Sequence, residues 1–218
     1  MSDPVTDIYR ARFPERDAAR RSAVWRVLCG SVFQRYVHAD HTVLDLAAGF
    51  CQFINTIRCG RKIAVDLNDD VRKHAAPGVE VVIAPSTAMG AVKSESVDVV
   101  FVSNFFEHLP STEALLGTLA EIRRVLRPGG RLLVLQPNIK LVGGAYWDFV
   151  DHHLALTEKT LHEAFGLAGL RTIETRVRFL PYTMVGKMPA HPALVWMYLR
   201  MPPAQWLMGK QSFLVAER

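Results

Sequence analysis

Short runs of β-branched and apolar residues alternate along the chain with longer stretches whose apolar positions recur at helical spacing. That alternation predicts βαβ units and a mainly parallel sheet. Val43-Leu44-Asp45-Leu46 is a short apolar strand that runs into a small-residue turn, Ala47-Ala48-Gly49. Lys62-Ile63-Ala64-Val65-Asp66 predicts a second strand, and Val79–Ile83 a third, entered through Pro77-Gly78. Val97-Asp98-Val99-Val100-Phe101-Val102 predicts a fourth, apolar enough to be buried on both faces. Ser111 is placed to cap a helix over about 112–126, with Glu113 near its positive end. Arg127-Pro128-Gly129-Gly130 stops that helix and leads into a fifth strand over 131–136. Thr157 is expected to cap another helix ending near Gly169, and 171–179 and 212–216 read as the last two strands.

Three segments stand outside the alternation. Residues 1–41 carry a helical pattern around 18–36, residues 137–156 form a long aromatic-containing loop, and residues 180–210 hold five prolines between the last two strands. Loops of this length in a compact domain usually serve as lids or binding walls. The expected organisation is one domain over 1–218: an N-terminal helical cap (1–41), a ligand-binding core (42–136) and a substrate-side half (137–218) with a lid insertion at 180–210. Within that insertion, 193–208 (ALVWMYLRMPPAQWLM) is apolar, aromatic and flanked by basic residues. It reads as a substrate lid, a dimer surface or an interfacial membrane segment, and Pro202-Pro203 divides it into two short pieces.

Composition narrows the field. A chain of 218 residues, 50% hydrophobic, suits a single well-cored domain. The polar start, Met1-Ser2-Asp3-Pro4, predicts no secretory signal, and no run of apolar residues is long enough to span a bilayer. Three cysteines without CxxC spacing argue against a disulfide framework or a zinc site and favour a reducing, cytoplasmic setting. The net charge of +5 is carried by residues 171–218, which hold seven Lys/Arg against two Glu. A basic quarter of this kind attracts an anionic substrate, nucleic acid or an acidic membrane, or is simply a solvated surface.

The chemistry gathers where strands end. In Val43-Leu44-Asp45-Leu46-Ala47-Ala48-Gly49-Phe50-Cys51 a strand, a tight turn and a helix follow one another, and small residues there let backbone approach a ligand. The G-x-G-x-x-G dinucleotide spacing is absent. Asp45 suits a ligand bearing an ammonium group. Asp66, at the tip of the second strand, is placed to accept hydrogen bonds from ribose hydroxyls, or else to cap a helix.

These pieces in this order resemble the core of class I S-adenosylmethionine (SAM)-dependent methyltransferases. VLDLAAGF is similar to their first motif, IAVDLN to the ribose-binding strand, VDVVFVSNFFEHL to the fourth-strand motif, and EIRRVLRPGGRLLVLQPN to the helix, turn and fifth strand of small-molecule members. Tyr9-Arg10-Ala11-Arg12-Phe13, YWDFVDHH (146–153) and FLPYT (179–183) look like a subgroup of sugar, polysaccharide or natural-product pathways. The resemblance implies a Rossmann-like seven-stranded sheet with helices on both faces and an antiparallel last strand. It also implies SAM as cofactor, S-adenosylhomocysteine as product, and methyl transfer to a small molecule, most readily a hydroxyl.

It further implies a cofactor site of Asp45, Ala47, Ala48, Gly49, Asp66, Leu67, Ser86, Thr87, Asn104 and Phe105, with Tyr9 and Arg12 closing over it. Two positions depart from the family's D-x-G-x-G-x-G. Ala47 requires a negative φ, and Cys51 must lie where the turn is already helical. Pro85 stands where an adenine-contacting acid is usual, leaving adenine to Ser86 and Thr87.

Candidate bases are His108, His152 and His153, with Asp151 able to orient an imidazole and Tyr146 and Trp147 as acceptor walls. No metal is expected, because adjacent histidines in extended chain face opposite ways and no i,i+4 pair completes a set. The partner expected is a small-molecule substrate rather than nucleic acid, since no proline pair follows Asn104, with lipid or membrane contact through 193–208 and a monomer or homodimer as further expectations. Alternatives are non-methylating SAM chemistry such as cyclisation, a nucleic-acid methyltransferase, and a non-catalytic partner subunit.

Overall fold

The computed structural model describes residues 18–182 and 191–218. Seven strands form one sheet: β1 (Thr42–Leu46), β2 (Arg61–Asp66), β3 (Val79–Ile83), β4 (Val97–Ser103), β5 (Leu126–Pro137), β6 (Arg171–Leu180) and β7 (Gln211–Glu217), in the order β3-β2-β1-β4-β5-β7-β6. The pairs from β3 through β5 are parallel, while β7 runs antiparallel between β5 and β6. The fold class expected from the sequence is the one observed.

The helices follow their local signals. α1 (Ala18–Ser31) precedes the sheet, and α2 (Gln52–Thr56) and α3 (Val71–His74) are short turns after β1 and β2. α4 (Thr112–Val125) begins where the Ser111 side chain accepts the Ala114 N–H at 3.3 Å, and it buries Leu115, Leu119, Ile122 and Val125 along one stripe. α5 (Ile139–Val142) is one turn capped by Asn138. α6 (Glu158–Leu167) opens on a reciprocal capping box between Thr157 and Thr160. α7 (Pro192–Tyr198) and α8 (Pro202–Met208) are two short helices, and the proline pair opens the second. No helix among the described residues is long and apolar enough to cross a membrane.

Strand alternation divides the interior into two cores. Leu44, Leu46, Val100 and Val102 point into one, which α4 and α6 cover. Val43, Val99, Phe101, Phe213 and Val215 point into the other, filled from α1 and α2 by Val24, Leu28 and Phe53. The fourth strand is therefore buried on both faces. β5 starts at Leu126, five residues earlier than the sequence suggested. Val97 pairs with Leu126 and Val99 with Arg131, so the Pro-Gly-Gly turn bulges out of a ladder that resumes beyond it.

Candidate active site

Strand order reverses between β1 and β4, and open α/β sheets hold ligands beyond the carboxyl ends of strands at such a point. The turn after β1 is tight: the Ala48 N–H donates to Val65 O at 3.3 Å and the Cys51 N–H to Ala48 O at 2.7 Å. Ala47, Gly49 and Cys51 all take left-handed φ, at 55°, 49° and 55°. The expectations of a negative φ at Ala47 and a helical Cys51 are thus corrected. Both residues adopt the conformation that glycine usually supplies, at about 1–2 kcal/mol each. Cys51 is wholly buried in that pose, so packing offsets the strain.

Asp66 ties the turn down. Its Oδ2 accepts the Gly49 N–H at 2.8 Å and its Oδ1 the Asn68 N–H at 2.9 Å. A carboxylate has about four acceptor positions, so roughly two remain for hydroxyls of a ligand. Asp45 lies beneath the turn, buried, with Oδ2 accepting the Ile54 N–H at 3.3 Å. Burial pushes its carboxyl up to about 8, and the nearby Asp66 charge adds to the effect. Without a cation beside it, Asp45 is therefore neutral at pH 7.

The other cofactor-side residues surround this turn unevenly. Leu67, next to Asp66, is 71% exposed and offers a bare apolar side chain. The Ser86 hydroxyl is engaged with that of Thr118 at 2.7 Å, while Thr87 is exposed. Asn104 holds φ 48°, with its N–H donated to Leu135 O at 2.9 Å and its side chain turned onto Ser103 Oγ at 3.0 Å. Phe105 is half-buried against the first core. Tyr9 and Arg12 lie outside the described residues.

A second group of polar side chains forms where the 143–156 loop meets the end of β4. Phe106, fully buried, pins the turn that carries Glu107 and His108. The Glu107 carbonyl accepts the N–H groups of His153 and Leu154 at 2.8 and 3.2 Å, which fastens the loop to that turn. Tyr146 anchors the loop from inside, fully buried, its hydroxyl donated to Leu154 O at 2.6 Å. Across this junction His108 Nδ1 lies 3.1 Å from Asp151 Oδ2 and 3.0 Å from Asp151 O. Both are acceptors, so Nδ1 carries the proton and Nε2 is left as the basic nitrogen.

His152 packs edge-on to His108 and Tyr146, each at 4.9 Å between ring centres, and stacks on Phe149 at 5.1 Å. His153 is exposed, as is half of Trp147. The two adjacent histidines thus separate, one inward and one outward. Of the sequence candidates, His108, Asp151 and His152 come together and His153 does not.

Two members of this group went unassigned in the sequence. Glu107 is buried, and burial raises its carboxyl above the usual range, partly offset by His108 and by a hydrogen bond from Gln136 Nε2 at 3.0 Å. Gln136 is buried as well, and its Oε1 has no partner among the described residues. A glutamine ending an otherwise apolar strand was the available signal. Glu107, His108 and His152 each place one ligand-type atom within 4.8 Å of the others, so a metal-competent set exists. It is not built from the two adjacent histidines, since His153 is outside it.

Residues 44–134 match the protein family described as a methyltransferase domain. No curated protein matches the chain. Among solved structures, a SAM-dependent methyltransferase from Archaeoglobus fulgidus is 17% identical, with 91% of this chain and 94% of that chain covered and a TM-score of 0.66. A chain from the complex of the Haloferax volcanii Trm112 methyltransferase activator with a methyltransferase is 19% identical, covering 100% and 98%, at a TM-score of 0.72. A SAM-dependent methyltransferase from Methanosarcina mazei is 16% identical, covering 86% and 96%, at 0.64. Residues 44–134 thus match a methyltransferase domain, and the chain carries the fold seen in SAM-dependent methyltransferases.

Proposed function

We propose that this enzyme methylates a hydroxyl group of a small molecule, a sugar or natural product, with His108 as the proton acceptor and Asp151 as the residue that positions it. The observation carrying the proposal is the His108–Asp151 contact at 3.1 Å, made between two loops at the carboxyl ends of adjacent parallel strands.

The residues of the crevice fit the cofactor. Asp66 retains acceptor positions for ribose hydroxyls, Leu67 offers an uncovered apolar surface to a purine, and buried Asp45 lacks only a cation to ionise. With the Ser86 hydroxyl given to Thr118, adenine recognition falls to the backbone of Ser86 and Thr87. When bound, SAM supplies an electrophilic methyl carbon on a sulfonium. The protein's share is alignment, worth roughly 7–11 kcal/mol of barrier in well-positioned systems, and proton removal, worth about 10²–10⁴-fold.

With an acceptor hydroxyl beside it, His108 Nε2 would take the proton the hydroxyl loses on methylation, S-adenosylhomocysteine being the leaving group, and Asp151 would stabilise the imidazolium so formed. His152 and Tyr146 form the wall behind that imidazole, with Trp147 at its rim. The 146–153 and 179–183 motifs support a saccharide-type acceptor over a nucleic acid.

Calorimetry with SAM and S-adenosylhomocysteine, followed by mass spectrometry of hydroxylated saccharides incubated with enzyme, tests this reading. Both cofactor forms are expected to bind, and a product should gain one methylene unit. Failure of either ligand to bind, or transfer to nitrogen only, overturns it.

A further inference from the structure

α7 and α8 expose what most helices hide. Trp206 and Leu207 on α8 are 70% and 72% exposed, and Leu194, Trp196, Met197 and Met201 on and beside α7 lie between 41% and 49%. Scattered apolar side chains on a surface are ordinary, but six large ones within fourteen residues form a patch that asks for a partner.

The patch is built rather than loose. Val195, Tyr198 and Leu199 pack inward against the second core, and the Tyr198 hydroxyl donates to Phe179 O at 3.1 Å. Gln205 Nε2 donates to the carbonyls of Tyr198 and Leu199 at 3.2 and 3.0 Å, clamping one helix to the other. Arg178 on β6 donates to Trp206 O at 2.8 Å, and a Cβ on Gly209 would come within 2.7 Å of the Arg178 backbone, so α8 sits hard against the sheet edge. Gln205 and the Tyr198 hydroxyl serve the inner side, which leaves the large apolar side chains outward on a fixed platform.

Charge then selects the partner. No Asp or Glu occurs between Glu174 and Glu217. Arg178, Arg200 and Lys210 make no ion pair among the described residues. Arg200 lies over the Trp196 ring at 3.7 Å and Arg178 over Trp206 at 5.7 Å. Indole rings with guanidinium groups beside them suit the boundary between acyl chains and anionic headgroups. A second copy of the chain would bring the same cations face to face across a two-fold axis. A nucleic-acid surface would leave the tryptophans and leucines unsatisfied.

We infer that the outer face of α7 and α8 is a docking surface for an anionic lipid bilayer, entered by Trp206 and Leu207 and held by Arg178, Arg200 and Lys210. The enzyme is held at the membrane surface through this face, and this holds whether or not the hydroxyl acceptor proposed above is right.

Cosedimentation of the full chain with vesicles of equal parts phosphatidylcholine and phosphatidylglycerol tests the inference against vesicles of phosphatidylcholine alone. Binding is expected to be on the order of a hundredfold tighter to the anionic vesicles, to weaken with added salt, and to blue-shift tryptophan emission. Trp206→Ser with Leu207→Ser should abolish it, while Arg200→Glu with Lys210→Glu should remove only the anionic preference. Retained SAM affinity in each variant shows that the fold is intact. Protein left in the supernatant with both vesicle types overturns the inference. So does a dimer in solution that the Trp206 and Leu207 substitutions convert to monomer.

Discussion

The proposed cofactor site predicts that SAM binding is coupled to the loss of a proton from Asp45. Its carboxyl, ordinarily near 3.8, is pushed up to about 8 by burial, so in the free protein it is protonated at pH 6 to 7. An ammonium group arriving beside it stabilises the carboxylate, lowers the pKa in the complex and expels the proton. Below the free-protein pKa, each pH unit then strengthens SAM binding by up to about tenfold, so affinity climbs by as much as ~50-fold from pH 6 to 8. Above about pH 8 the gain stops, because Asp45 is then already ionised in the free protein and the α-amino group of the ligand begins to lose its own proton.

The assay is isothermal calorimetry across that range in buffers of different ionisation enthalpy, which also counts the proton released, expected to approach ~1 near pH 7. Asp45→Asn keeps an acceptor for the Ile54 N–H and removes the titration, so its affinity should be flat with pH. The free protein's stability should respond in the opposite sense. The folded state keeps a proton that the unfolded chain loses above about pH 4, so this group's contribution declines from about pH 4 upward and levels off above about pH 8. The asparagine variant should lack that decline. SAM affinity that does not change between pH 6 and 8 in the parent protein, with no proton released, refutes the pairing of Asp45 with the ligand's ammonium.

Asp66→Ala removes the acceptor of the Gly49 and Asn68 amides together with the ribose contact, and should weaken SAM binding by about 1–3 kcal/mol by calorimetry; unchanged affinity would place the ribose elsewhere. His108→Gln should lower kcat by about 10²–10⁴-fold at intact SAM affinity. Asp151→Asn should lower kcat less and move the pH–rate profile, and chelators should have no effect on either enzyme; activity that depends on a divalent ion would turn the Glu107, His108, His152 set into a metal site. Ala47→Gly should raise the urea midpoint, by roughly 1 kcal/mol of relieved left-handed strain, and a loss of stability would show that the Ala47 methyl packs better than its backbone sits.

The amino-acid sequence determined the parts of this protein whose causes are local. Apolar runs of four to seven residues set β1 to β5, Ser111 and Thr157 set the starts of α4 and α6 through bonds to amides three residues on, and Pro202-Pro203 broke the apolar segment in two. Asp45, Asp66 and the turn between them were legible for the same reason, since a strand tip delivers its residues to the crevice wherever the rest of the chain goes. Yet the left-handed φ of Ala47 and Cys51 was not legible. Side-chain type disfavours that conformation, and only the packing around the turn overrides it.

Tertiary structure alone chose among the histidines. His108 and Asp151 are 43 positions apart and meet because Tyr146, buried, folds the loop after β5 back onto the turn after β4. His152 and His153 are indistinguishable by type, and the route of that loop sends one inward and the other to solvent. The outward face of α7 and α8 was decided likewise, when Gln205, Arg178 and the close fit of Gly209 fixed which side met the sheet. Capping and periodicity act over a few residues and are written in order along the chain. Contacts between distant loops depend on how the whole sheet is closed, and no short stretch of sequence holds that information.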